Sequence, residues 1–303
     1  MINIYESVAS NKRRSAVIIF LFALFVGLVA YVIGEALDYG PGFIGVALIF
    51  GGLTSFISYW YSDKIILTLS SARPASREED FYFISVAQNL SLAARIPMPK
   101  LYVIDDSAMN AFATGRDPKH AVVCCTSGIL QRLNRTELEG VVAHEMSHIG
   151  NYDMRLMSVV TIMVGFITLL ADWFLRASFW GGRKRNSDRE GGQIQAIFAV
   201  VGIILALLSP LIAQLIQLAL SRKREYLADA SAVKLTRQPS GLISALQKLS
   251  ADSEPLEAAN KATAHLYITN PLKNKHGGIG WFAGLFSTHP PIDDRIRMLE
   301  MMR

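Results

Sequence analysis

The sequence predicts an α+β, mainly helical membrane protein with up to four transmembrane helices and one small β-sheet. Two features lead there. Long uncharged apolar runs separate two polar segments, and the first polar segment carries three short extended pieces between helical patterns. Composition agrees: of 303 residues, 51% are hydrophobic and 18% charged, and mean hydropathy is +0.30. Ordinary globular chains hold about 45–50% apolar and about 25% charged residues. Disordered, collagen-like and disulfide-scaffold classes are thereby excluded. The net charge of +5 is carried beside the apolar runs, where it orients a membrane protein rather than binding nucleic acid, so no nucleic-acid partner is expected.

Residues 15–34 are uncharged and follow Lys12, Arg13 and Arg14. Such a run, at about 1.5 Å per residue, spans a hydrocarbon core of about 30 Å, whereas the apolar region of a cleaved signal peptide is usually about 7–15 residues. A second uncharged run, 39–62, follows almost at once, so the pair reads as a transmembrane hairpin over 1–62. Its turn, Glu35–Asp38, is acidic and its outer flanks are basic, which places the N-terminus and the chain after residue 62 in the cytoplasm. Two further apolar stretches, 156–171 and 191–221, form a second hydrophobic helix pair over 156–221, with Pro210 a kink in the longer one. The polar segments 63–155 and 222–303 read as two parts of one domain.

Within 63–155, the apolar spacing from Arg77 to Arg95 is helical, and Pro97 and Pro99 end that helix. LYVID at 101–105, NAFATG at 110–115 and AVVCCT at 121–126 read as strands. The adjacent Cys124 and Cys125 are poorly placed to bridge each other and lack metal-ligand spacing, so they read as small buried strand residues. Asn134 or Thr136 caps the next helix, with Glu137 or Glu139 three residues on, and that helix carries 137–150. The segment 222–303 is polar and mostly helical, punctuated by prolines.

The helix at 137–150 contains His144-Glu145-Met146-Ser147-His148. Helix positions i and i+4 share a face, so both imidazoles can bind one metal ion. Glu145 is rotated about 100° from His144, so its carboxylate can reach a water at that ion. Zinc is the default ion, and it needs a third protein ligand and an open position. Glu225 is the best candidate for that ligand. Asp229 lies four residues on along the same helix face, suited to accept an imidazole N–H. Asp153 either orients a ligand or caps the helix end. His120, His265 and His276 have no partner at metal spacing and read as surface or loop histidines.

These features together resemble the HtpX-type integral-membrane zinc metalloproteases, relatives of the CAAX prenyl endopeptidases. The resemblance covers nearly the whole chain: the N-terminal hydrophobic hairpin, NAFATG at 110–115, VVAHEMSHIGNYD at 141–153, the apolar pair, EYLAD at 225–229 and STHPPIDDRI at 287–296. It implies a cytoplasmic zincin-like (gluzincin) catalytic domain. One zinc per chain would be held by His144, His148 and Glu225, with Glu145 as general base and Asp229 supporting a zinc-bound histidine. It further implies that an extended substrate adds to the edge strand at Asn110, Ala111, Phe112 and Ala113. His289 would either approach the metal as a transition-state or resting-state auxiliary, or simply precede the turn set by the prolines after it. Arg295 would pair with an active-site carboxylate or cap the last helix; capping is the expectation.

If His144 and Glu225 meet at one ion, the chain crosses the membrane an even number of times between them. Two crossings put the basic loop 172–190 outside, against the charge rule; zero leave the second helix pair lying in or on the membrane. Two crossings are the expectation, since long uncharged helices gain most from full burial. In both cases the site faces the cytoplasm at the inner membrane, close to the lipid surface. The expected function is zinc-dependent endopeptidase cleavage of misfolded or membrane proteins, a quality-control and stress-response role that the resemblance implies. The alternative is a zinc-binding membrane scaffold or regulator without turnover, from which Glu145 and the open coordination position distinguish the enzyme. A transporter would need ionisable residues within its apolar runs, and none stands in their middles.

Overall fold

The structure, a computed structural model, describes residues 59–154, 156–158, 222–257, 266–269 and 290–302, with isolated positions between 13 and 57 and at 200. The predicted spans at 15–34, 39–62, 156–171 and 191–221 lie almost wholly outside these residues. Among the described residues, no helix is long and apolar enough to cross a membrane.

Helix α1 (Ser62–Leu69), a strand-like β1 (Arg73–Pro74) and helix α2 (Phe81–Ala94) lead into strand β2 (Lys100–Ile104). Strand β3 (Ala111–Thr114), a one-turn 3₁₀ helix (Pro118–His120) and strand β4 (Val122–Thr126) follow, then the short helix α3 (Ser127–Arg132) and the long α4 (Arg135–Gly150). After residue 221 come α5 (Arg222–Thr236), α6 (Pro239–Ala251) and α7 (Ile292–Glu300). The sheet order is β1-β2-β4-β3. β2 and β4 run parallel with Tyr102 opposite Cys124, while β3 pairs antiparallel with β4, Phe112 opposite Cys124. β3 is therefore an edge strand, and β4, buried at every residue, is central. Cys124 and Cys125 are free thiols on β4, and burial pushes both far above the ordinary thiol range.

The three predicted strands each fall within a residue of their expected places, and the helix expected from Arg77 begins at Phe81 instead. Asp80 explains the late start: its carboxylate accepts the Ser76 N–H at 2.9 Å and pairs with Arg73 at 3.0 Å, holding 76–80 as a turn. Arg95 closes α2 in the left-handed conformation, φ 55°. Helix α1 carried no clear periodic signal and was not expected. Gly115 ends β3 at φ 129°, where any Cβ would lie 2.3 Å from the His120 carbonyl oxygen, so only glycine fits.

Helix α4 is the axis of the domain. It packs on α2 and the sheet on one side and on α5 and α6 on the other. Twelve of its sixteen residues are buried, from Glu137 and Leu138 through His148 and Ile149. A helix buried on nearly all sides shows little amphipathic pattern, which is why its boundaries were legible from its cap rather than its period. Asn134 is that cap: its Oδ1 accepts the Glu137 N–H at 3.0 Å, and Glu137 Oε2 accepts the Asn134 N–H at 2.8 Å. The same carboxylate reaches α6, accepting from Ser244 at 2.6 Å and Lys248 at 2.7 Å. α4 and α6 also meet at glycine: a Cβ on Gly140 would lie 2.7 Å from the Leu242 nitrogen.

Burial opposes ionisation of Glu137, but Lys248, Ser244 and the Asn134 N–H outweigh it and hold its pKa below the ordinary carboxylate value. A depressed native pKa contributes stability that is present above the unfolded value and lost as pH falls through the folded one. Glu137→Gln should thus destabilise the domain by about 1–2 kcal/mol at neutral pH. Its deficit against the wild type should begin to shrink as pH falls below about 4, near the unfolded carboxyl value, and go on shrinking through the lower folded value, where the native carboxyl itself takes a proton. Thermal melting across pH checks both, and a deficit independent of pH would show that the charge is not what matters.

Candidate metal centre

α4 supplies His144, Glu145 and His148, and α5 supplies Glu225 and Asp229. Packing of α5 on α4 brings ligand atoms of His144, His148 and Glu225 within 4.8 Å of one another, all three residues buried. The two imidazole Nε2 atoms are 3.3 Å apart. Glu225 Oε2 lies 3.6 Å from His144 Nε2, and Oε1 lies 3.5 Å from His148 Nε2. Tetrahedral arms of about 2.0–2.1 Å place neighbouring ligand atoms about 3.4 Å apart, so these separations suit one small divalent ion. The donor set, two imidazoles and a carboxylate, is that of a hydrolytic zinc site.

The far nitrogen of each ring is held. Asp229 Oδ1 is 2.9 Å from His144 Nδ1, and Asp153 Oδ2 is 3.3 Å from His148 Nδ1. Arg224 lies 3.5 Å from the other Asp153 oxygen. A carboxylate on Nδ1 holds a proton there and turns Nε2 toward its neighbours. Asp153 therefore contacts a ring rather than merely capping a helix.

Arg295 corrects one expectation. It does not cap α7. It is 0% exposed and grips Asp229 with two bonds, Nη2 to Oδ1 at 2.7 Å and Nε to Oδ2 at 2.9 Å. Its Nη1 is 4.0 Å from Glu225, and its Nη2 is 3.3 Å from His144 Nδ1. The sequence held a signal for this: Arg295 shares the buried stripe of α7 with Ile292, Ile296 and Leu299, and an arginine on an apolar stripe needs a buried anion.

The charges are mutually dependent. Burial penalises ionised Asp229, but Arg295 and His144 overcome it and bring its pKa to about 2. Burial and Arg295 oppose protonation of His144, yet Asp229 and Glu225 outweigh them and raise it to about 9. Burial likewise opposes charge on His148, and Asp153 and Glu225 raise its pKa. Glu145, one position along α4 from His144, is buried with them at 3% exposure.

Asn110, Ala111, Phe112 and Ala113 lie along the sheet edge as expected, but all four are buried. Part of that edge is already occupied, since Ile268 donates its N–H to the Ala111 carbonyl at 3.0 Å. His289, His265 and His276 lie outside the described residues, and His120 is an exposed partner of Asp117.

The profile of peptidase family M48 matches residues 78–303. The chain belongs to this family. It is a metallopeptidase. Relatives named "Protease HtpX homolog" span nearly its whole length. That of Dictyoglomus thermophilum is 47% identical over 98% of this chain and 94% of its own, and that of Ligilactobacillus salivarius is 41% identical over 99% and 100%. The crystal structure of Ste24p from S. mikatae covers 98% of this chain and 67% of its own at a TM-score of 0.50 and 20% identity, a likeness of fold.

Two substitutions test the geometry. Asp229→Asn should lower zinc affinity about 10–100-fold in a chelator competition, because the far side of His144 loses its charged acceptor. Arg295→Met strands Asp229 as an unpaired buried anion and should cost about 3–5 kcal/mol, read as a large fall in melting temperature. A wild-type melting curve for Arg295→Met would mean that the buried pair does not hold the site together.

Proposed function

We propose that this M48 peptidase is a membrane-anchored zinc endopeptidase, with His144, His148 and Glu225 as ligands and Glu145 as general base. The observation that carries the reading is the buried convergence of these three ligand residues, with a carboxylate held on Nδ1 of each imidazole. Bound zinc would polarise the scissile carbonyl and lower the pKa of water to about 7. Glu145, one position along α4 from His144, takes the proton of the attacking water and delivers it to the leaving amine. Arg295 keeps Asp229 ionised, and Asp229 keeps His144 oriented. β3 offers main-chain groups to an extended peptide, a mode of binding with little sequence preference.

Membrane anchoring is supported by the apolar runs and by the described positions within them. Phe20, Leu24, Ile49 and Phe56 are helical and 57–71% exposed, surface that suits lipid rather than water. The charge pattern supports an inner-membrane location with the domain formed by 63–155 and 222–303 in the cytoplasm. Substrates are then membrane proteins or misfolded chains at the lipid surface, in quality control under stress.

In purified, detergent-solubilised protein, Glu145→Gln should keep one zinc per chain while cleavage of an unfolded test protein falls about 10²–10⁴-fold. Chelation should abolish wild-type cleavage and zinc should restore it. Full cleavage by Glu145→Gln would remove the mechanism, and a zinc-loaded wild type with no cleavage would favour a metal-binding scaffold.

A further inference from the structure

The outer edge of β3 already carries a buried segment of the chain itself, and register shows which edge that is. The Asn110 carbonyl accepts the Thr126 N–H at 3.0 Å, and Ala111 stands opposite Cys125. Main-chain groups alternate in direction along a strand, so the carbonyl of Ala111 turns away from β4. There it accepts the Ile268 N–H at 3.0 Å. The Asn110 carboxamide takes both main-chain groups of Thr269, donating from Nδ2 to its carbonyl at 3.1 Å and accepting its N–H on Oδ1 at 3.3 Å. Tyr267 packs edge-on against Phe112 with ring centroids 5.2 Å apart. Leu266, Tyr267, Ile268 and Thr269 are each at most 4% exposed. One main-chain bond to the edge, a side-chain amide bridging both main-chain groups of the next residue and a side chain lodged on the sheet are contacts of the kind that hold an extended peptide at a sheet edge.

We propose that Leu266–Thr269 is an internal substitute for substrate, occupying the peptide-binding edge of β3 at rest and exchanging with an extended segment of a client protein. The inference rests on the reading of β3 as the substrate edge. β3 is the fixed member of the exchange. It is paired to β4 along Ala111–Thr114, and Thr114 meets Ser158 at 2.9 Å. Just beyond, the Arg116 guanidinium donates to the Trp60 carbonyl at 3.0 Å and covers its ring at 4.6 Å. Leu266–Thr269 is the member that leaves. As part of the same chain it competes at high effective concentration, so a client must present an unpaired, extended segment at comparable local concentration. Folded proteins, whose strands are already paired, fail that condition, while unfolded segments confined to the same membrane surface meet it.

The test is amide exchange in the full-length, zinc-loaded protein in detergent, with and without a zinc-chelating peptidyl hydroxamate of extended backbone that inhibits cleavage. Exchange at the Ile268 and Thr269 amides should quicken about tenfold or more when the hydroxamate is bound, because both lose their partners. Unchanged or slower exchange overturns the inference. Ile268→Pro, which removes the N–H bonded to Ala111, should raise kcat/KM for an unfolded client about threefold or more by weakening the resting state. A folded variant with unchanged or lower kcat/KM overturns the inference as well, and if the variant fails to fold, exchange in the wild type decides. Chelator-sensitive cleavage is measured on the same preparation. Its absence removes the proposed function itself, whereas its presence with unchanged exchange removes only the internal substitute.

Discussion

A guanidinium sealed from water is the constraint on which the rest of this structure depends. Arg295 cannot shed its proton at any physiological pH, so burying it requires carboxylates at bonding distance. Asp229 meets that need with two bonds and is itself kept ionised by it. Ionised Asp229 holds the Nδ1 proton of His144, and the Nε2 atom of that ring then faces His148 and Glu225. One charge on α7 thus orients a candidate ligand on α4 through an acid on α5. The candidate ligand residues come from two helices and are braced from a third, which couples the site to the fold of the domain rather than to any single helix.

The same coupling explains what the sequence could and could not show. His144, Glu145 and His148 are close along one helix, and Glu225 and Asp229 along another, so periodicity alone places each group on a face. The strands at 101–105, 110–115 and 121–126 were legible because β-branched and small residues run between turn signals there. Arg295 was misread because a single arginine near a helix start has an ordinary explanation as a cap, and only its alignment with Ile292, Ile296 and Leu299 argues otherwise. Helix α1 was missed because residues 62–69 follow directly on an apolar run and mix polar and apolar types without a clean stripe. The contact of Ile268 with Ala111 spans more than 150 residues of chain and leaves no local pattern at all.

The edge strand also ends where the apolar runs of the sequence border the described domain. The end of β3 is tied at two points, by Arg116 to Trp60 and by Thr114 and Gly115 to Ser158. Trp60 lies at the end of the apolar run 39–62, and Ser158 at the beginning of 156–171. The described residues that border the two apolar runs therefore meet at the same end of the same strand. If those blocks lie in lipid, the Thr114 end of β3 is nearest the bilayer, and the Asn110 end, where Ile268 and Thr269 sit, is farthest. On the proposed reading, a polypeptide leaving the membrane would reach the strand first at its Thr114 end and would meet Leu266–Thr269 only at the far end.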